Sequence, residues 1–209
     1  GSEMCIRDRT SGADGRTAGE RLLASLSSLF PGATSTADVV DDGSGLSHNN
    51  RLTARTLAQI VTKAATRDWY QEWLETLAKG RESGTLANRF KSSAFDGCSV
   101  RGKSGYINGA STLAGRIDHD DGRYLILAIM VKDVKSSADA KRLHEAILAE
   151  AVRTMPRLSQ TDDRVPHETR LAINRGMINA SSSGQQAGLP LLEACLLYTS
   201  PSPRDEHSS

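Results

Sequence analysis

The sequence predicts an α+β fold within the broad α/β class, an antiparallel sheet flanked by helices. Three observations predict it. Apolar residues recur at helical spacing both before and after the middle of the chain. Between those segments, residues 111–117 partly alternate, and residues 124–131 (Tyr-Leu-Ile-Leu-Ala-Ile-Met-Val) form an unbroken apolar run of central-strand length. Asp118-His-Asp-Asp-Gly122 parts the two runs as a turn, so they join as a hairpin.

Taken in order, Leu22, Leu23, Leu26, Leu29 and Phe30 mark a helix that Pro31-Gly32 stops. Asp38-Val-Val40 reads as a strand end. The ten residues Asp41-Asp-Gly-Ser-Gly-Leu-Ser-His-Asn-Asn50 read as a shaped loop, being rich in glycine, serine and asparagine. Thr53 is placed to cap the next helix, with Leu57, Ile60, Val61 and Ala64 on one face. Trp69, Trp73 and Leu77 make a further short amphipathic segment whose aromatics are expected in the core. After the hairpin, Ser137 is expected to cap a helix reaching about Met155, with Leu143, Ala146, Ile147, Ala151 and Met155 buried and with His144 and Glu145 solvated. From 156 to 194 the periodicity weakens around Pro166, Ser181-Ser-Ser-Gly184 and Gly188-Leu-Pro190, which reads as a poorly ordered extension.

Lysine and arginine total 26 against 25 aspartates and glutamates, a formal net charge of +1. With no long basic run, this argues against nucleic acid as the main partner. No apolar stretch reaches the length of a membrane span. His48, His119, His144, His167 and His207 show no HxxH or HExxH spacing, so neither a metal nor another cofactor is expected. Both ends look foreign. Residues 1–9 resemble the translation of a transposon-type sequencing adapter, and residues 195–209 mostly resemble its complementary strand read in a shifted frame. With those ends set aside Cys98 stands alone, which excludes a disulfide framework.

One lysine supports two chemistries. Gly97-Cys-Ser-Val-Arg-Gly-Lys-Ser104 formally matches a nucleotide-binding phosphate loop, and Lys103-Ser-Gly105 matches the Lys-Thr/Ser-Gly signature of serine acyl-transfer enzymes. A phosphate loop follows a buried parallel strand and opens a helix, so that helical N–H groups face the phosphates. Here residues 88–96 are too polar for that strand, and Gly105-Tyr-Ile-Asn-Gly109 is a poor helix start. A hairpin after the lysine suits the acyl-transfer reading instead, and the phosphate loop is the less favoured alternative.

Asp42-Gly-Ser-Gly-Leu-Ser47 followed by Asn50, then Gly84-Thr-Leu-x-x-Arg89, then Lys103-Ser-Gly105 before a hairpin, stand in an order and spacing that resemble one family. It is that of the low-molecular-mass class C penicillin-binding proteins, the D-alanyl-D-alanine carboxypeptidase/endopeptidases of peptidase family S13. The resemblance covers about residues 15–155. It implies that 10–155 is the C-terminal part of a penicillin-binding transpeptidase/β-lactamase-like domain. Ser104 replaces the family's usual threonine and keeps the hydroxyl, while Ser83 stands where the family usually has aspartate.

The resemblance implies a serine nucleophile in a Ser-x-x-Lys helix attacking a D-Ala-D-Ala peptide bond, with a lysine as base and a Ser-x-Asn element relaying protons. Lys103 and Ser104 would receive the substrate's terminal carboxylate, and Gly105 would keep that wall free of a side chain. The Tyr106 N–H would complete the oxyanion site, and Ser44 and Leu46 would line the pocket for the stem-peptide side chain. The partners so implied are peptidoglycan stem peptides and β-lactams, in an extracytoplasmic location. No serine in the chain precedes a lysine by three positions. Ser47-His-Asn49 matches Ser-x-Asn only inside the glycine-rich loop, where the family does not place that triplet. The expectation is therefore a fragment that is inactive by itself. The alternative is a non-catalytic peptidoglycan-binding relative.

Overall fold

A computed structural model describes residues 15–155, together with the backbone of strands at 170–172 and 191–199. Helix α1, Ala18–Leu29, opens on a reciprocal cap. The Thr17 hydroxyl accepts from the Glu20 N–H at 3.1 Å, and the Glu20 carboxylate accepts from the Thr17 N–H at 2.7 Å. Of its expected apolar stripe, Phe30 is buried just past the helix end and Leu26 is partly buried, while Leu22 and Leu29 are exposed. Helix α2, Ala54–Ala64, is capped by Thr53 as its sequence predicts, and buries Ala54, Ala58, Val61 and Ala64. Helix α3, Tyr70–Thr76, corrects the aromatic assignment. Tyr70 and Leu74 fill the core, Trp73 is partly buried, and Trp69 is exposed at the helix start.

With β5 at Arg170–Ala172 and β6 at Leu191–Thr199, the sheet runs β1-β2-β3-β4-β6-β5, every pairing antiparallel. Strand β1 (Ala78–Lys79) is two residues long, whereas β2 (Cys98–Ile107), β3 (Ala110–His119) and β4 (Tyr124–Lys132) form a long meander. The expected hairpin is therefore present. Its strands extend beyond the predicted bounds because the ladder pairs residues out to Cys98 opposite His119. Strand β2 passes straight through Lys103 and Gly105 without a helix, which removes the geometry a phosphate loop needs. The nucleotide-binding alternative is corrected accordingly.

Strand β4 reads as continuously apolar because its two faces enter two different cores. Leu125, Leu127, Ile129 and Val131 pack with Val100, Leu113, Ile117, Phe90, Phe95 and the last helix. Ile126 and Ala128 pack on the other face against α1–α3. Each fully buried leucine or isoleucine there contributes about 1.5–3 kcal/mol relative to exposure.

Helix α4, Ser137–Arg153, is capped by Ser136 rather than Ser137, through the Asp139 N–H at 3.1 Å. Its buried face is Ala140, His144, Leu148 and Ala151, with Met155 just beyond. Leu143 and Ile147 flank that face half-buried, and Ala146 is exposed. The buried face is thus rotated toward Ala140, and His144, one turn later on the same face, goes inward with it. His144 is thus wholly buried and Glu145 half-buried, against the expectation that both are solvated.

Of the expected extension at 156–194, residues 170–172 (β5) and 191–194 lie in sheet strands, and the rest falls outside the described residues. Strand β6, Leu191–Thr199, pairs with β4 along its whole length and includes residues 195–199, read from sequence as adapter-like. Backbone pairing asks only for an extended apolar segment, whatever its origin. Residues 1–9 and 200–209 lie outside the described residues.

Candidate active site

Three local structures hold the residues singled out from sequence. The first is the open edge of β2. Gly80 N–H donates to the Val100 carbonyl at 2.8 Å, so Val100 directs its backbone groups toward β1. Along a strand these directions alternate. Gly102, Ser104 and Tyr106 therefore also face that side. Strand β1 pairs only with Arg101 and Gly102, so past Gly102 no described strand covers the backbone of Ser104 or Tyr106.

Lys103 and Ser104 meet at this edge from opposite faces of the sheet. Lys103 lies opposite Ala114, which packs toward α1–α3, whereas Ser104 lies opposite Leu113, which packs toward α4. The exposed Lys103 ammonium bends over the edge and donates to the Ser104 carbonyl at 2.5 Å. An ammonium and a hydroxyl thus flank one stretch of backbone that no described strand covers. Tyr106 is half-exposed at 50%, with its N–H on the same edge. A side chain at Gly105 would place Cβ only 2.6 Å from the Thr112 hydroxyl oxygen, so any larger residue there would require the Thr112 side chain to turn away.

The second local structure is the loop that follows Val40. Asp42 organises it: its carboxylate accepts from the Ser44 hydroxyl at 2.6 Å, from Asn50 Nδ2 at 2.7 Å, and from the N–H groups of Gly45, Leu46 and Ser47 at 3.1 Å each. Burial alone raises this carboxyl's pKa, but the donors, led by Ser44 and Asn50, outweigh it and lower the value from 3.8 to about 2. Ser44 is engaged inside the loop, whereas Leu46 projects from it, 60% exposed. Ser47 donates to Asp41 and accepts from the Asn49 N–H, so this serine also belongs to the loop's internal bonding. Among the described hydrogen bonds none joins this loop to β2; the structure groups Lys103, Ser104, Gly105 and Tyr106 together and leaves Ser44 and Leu46 on a separate element.

The third is the turn after β1, which sequence reasoning quoted without assigning it a role. Gly84 takes φ +56° to start the short 3₁₀ turn Gly84–Leu86, and Leu86 is fully buried beneath it. This places the Thr85 hydroxyl 2.7 Å from the Ser104 hydroxyl. Four residues after Thr85, Arg89 is buried, donates to Glu145 on α4 at 3.0 Å, and lies over the Phe90 ring. No spacing rule links Thr85 to a strand residue nineteen positions later. Among the described residues no group of histidine, cysteine and acidic side chains could hold a metal ion.

Residues 19–153, about two thirds of the chain, match the D-Ala-D-Ala carboxypeptidase 3 (S13) family. The chain belongs to that family. A D-alanyl-D-alanine carboxypeptidase of an Actinomadura species is 38% identical over 89 residues, covering 40% of this chain and 16% of that protein. Carboxypeptidase DacB of Mycolicibacterium smegmatis is 37% identical over 102 residues, covering 46% and 22%. A carboxypeptidase of Mycobacterium tuberculosis is 37% identical over 94 residues, covering 43% and 20%. The matched chain thus spans about a fifth of the length of these carboxypeptidases. Membership makes this a chain from a family of peptidases, and the S13 resemblance that the three sequence motifs suggest is correct. No described helix is long and apolar enough to cross a membrane.

Proposed function

We propose that this S13-family chain supplies the Lys-Ser-Gly wall of the cleft in a serine-type D-alanyl-D-alanine carboxypeptidase acting on peptidoglycan stem peptides. One observation carries the reading: an ammonium, a hydroxyl and a backbone edge that no described strand covers come together at Lys103–Tyr106. A peptide laid along that edge gains main-chain hydrogen bonds in the manner of an added strand. Its terminal carboxylate meets Lys103 by charge and Ser104 by a donated hydrogen bond. The Tyr106 N–H, on the same edge, is the donor for the carbonyl oxygen as negative charge develops there. Leu46 offers an apolar surface to the stem-peptide side chain, and Ser44 holds the loop that presents it.

The nucleophile is not among the 209 residues, since no Ser-x-x-Lys occurs in them. This wall therefore works with a segment that carries that motif, and residues 10–155 are part of a larger domain. Acylation would pass through an ester on the absent serine, with β-lactams as substrates that acylate the same group. Stem peptides place the reaction outside the cytoplasm.

The test joins this chain to a segment of the family that carries Ser-x-x-Lys and Ser-x-Asn, and measures acylation by a fluorescent penicillin. Lys103→Ala and Ser104→Ala should each slow it roughly ten- to a hundredfold, the equivalent of one charge-assisted hydrogen bond of about 1.5–3 kcal/mol. Unchanged acylation in both variants would sink the reading. No acylation of the joined parent protein would favour a non-catalytic peptidoglycan-binding relative.

A further inference from the structure

We infer that Thr85 is a positioning residue whose hydroxyl sets the direction in which Ser104 donates its proton. The inference rests on the proposed role of Ser104 as a donor to the substrate carboxylate, and concerns a different residue on a different element.

The two hydroxyl oxygens lie 2.7 Å apart, a full hydrogen bond between groups that can each give or accept one. A serine hydroxyl has a single proton. If that proton points at Thr85, none is left for a carboxylate. Ser104 can serve the substrate only as the acceptor in this pair. Thr85 must then donate to Ser104, and Ser104 donates onward. The Lys103 ammonium does not compete for the Ser104 hydroxyl, because it is bonded to the Ser104 carbonyl instead. With Thr85 donating, the Ser104 oxygen is held in one rotamer, and its own O–H is polarised toward the open edge.

The turn is built to hold Thr85 there, although the side chain itself is exposed. On one side the turn is tied to β1. Ser83 N–H donates to the Lys79 carbonyl at 2.9 Å, the Ser83 hydroxyl accepts from the Lys79 N–H at 3.0 Å, and Arg81 N–H donates to the Leu86 carbonyl at 3.2 Å. Strand β1 is in turn paired with β2 at Arg101 and Gly102, two residues short of Ser104. On the other side, buried Leu86 and the Arg89–Glu145 pair fix the turn to the core and to α4. The position of Thr85 relative to Ser104 is thus defined from both directions, and a surface threonine with no function would need neither.

The experiment uses this chain joined to the Ser-x-x-Lys segment, and measures acylation by a penicillin and by its methyl ester, in which the carboxylate is masked. Thr85→Val should slow acylation by the free acid roughly three- to tenfold, the range of one neutral hydrogen bond, and leave the ester unaffected. Thr85→Ser should restore the rate with the free acid. In a Ser104→Ala background Thr85→Val should cause no further loss, because Thr85 acts only through Ser104. An unchanged rate in Thr85→Val overturns the inference, as does equal slowing with acid and ester, or a loss that adds to that of Ser104→Ala. Thermal melting of each variant separates unfolding from these outcomes. If Ser104→Ala itself acylates at the parent rate, the proposed function fails first and takes this inference with it; if only Thr85→Val is silent, that reading stands and Thr85 is a surface residue.

Discussion

The buried guanidinium of Arg89 and the carboxylate of Glu145, 56 residues apart, meet at 3.0 Å and tie the turn beside Ser104 to helix α4. Arg89 also donates to the Lys141 carbonyl at 3.4 Å and covers Phe90 with its ring-to-guanidinium distance at 4.9 Å. The pair therefore links the turn segment to helix α4 at two points through one cation.

Removing either partner should have unequal effects. Glu145→Ala leaves a charged guanidinium at 5% exposure without its carboxylate, a situation that costs about 3–5 kcal/mol at fully buried sites. Glu145 is 30% exposed in its side chain, so water can reach the vacated place, and about 2 kcal/mol is expected. Arg89→Met removes the charge and keeps the packing over Phe90, and should destabilise less than Glu145→Ala. Urea unfolding of both variants checks this, and a larger loss for Arg89→Met would show that the arginine's other contacts outweigh the pair.

His144 makes the fold sensitive to acid. Its imidazole is fully buried, neither nitrogen has a partner among the described residues, and burial lowers its pKa from 6.5 to about 4, with the nearby Arg89 charge acting in the same direction. Between these two values the unfolded chain binds a proton that the folded chain refuses. Stability from this group is whole above pH 6.5, falls as the pH drops through that window, and is gone below about pH 4. The shift corresponds to an effect on the order of 3 kcal/mol at most. His144→Leu should flatten the melting temperature between pH 7 and pH 4.5, and an unchanged slope would mean that other groups set the acid response.

The meander was legible in the sequence because two local signals agreed, a turn of aspartates and glycine and an apolar run too short for a membrane span. The Thr53 cap was legible for the same reason. Helix α4 was legible as a helix but not in phase: Leu143 and Ile147 outweigh Ala140 and His144 on any hydropathy count, yet Ala140, His144, Leu148 and Ala151 form the buried face. Trp69 misled because aromatic size suggests burial, while position at a helix start decides otherwise. At the site, Lys103, Ser104 and Gly105 could be read from one tripeptide. Thr85 could not, since its contact with Ser104 depends on how a turn folds back across nineteen residues.

Incubated alone with fluorescent penicillin, the 209-residue chain should take up no stoichiometric label. Acylation needs a serine held beside a base that can take its proton, in reach of the carbonyl carbon. Ser104 is bonded to another hydroxyl, and Ser47 to the Asp41 carboxylate. A carboxylate accepts such a bond but is a poor base toward an alcohol at neutral pH. Ser44 is held in the same way by Asp42, whose lowered pKa makes it weaker still as a base. In the proposed function the wall receives a carboxylate but does not itself open an amide. Mass spectrometry after incubation checks every serine at once. A single acylated serine at full occupancy would overturn the placement of the nucleophile outside these residues, and Ser47, with His48 beside it, would be the first position to substitute.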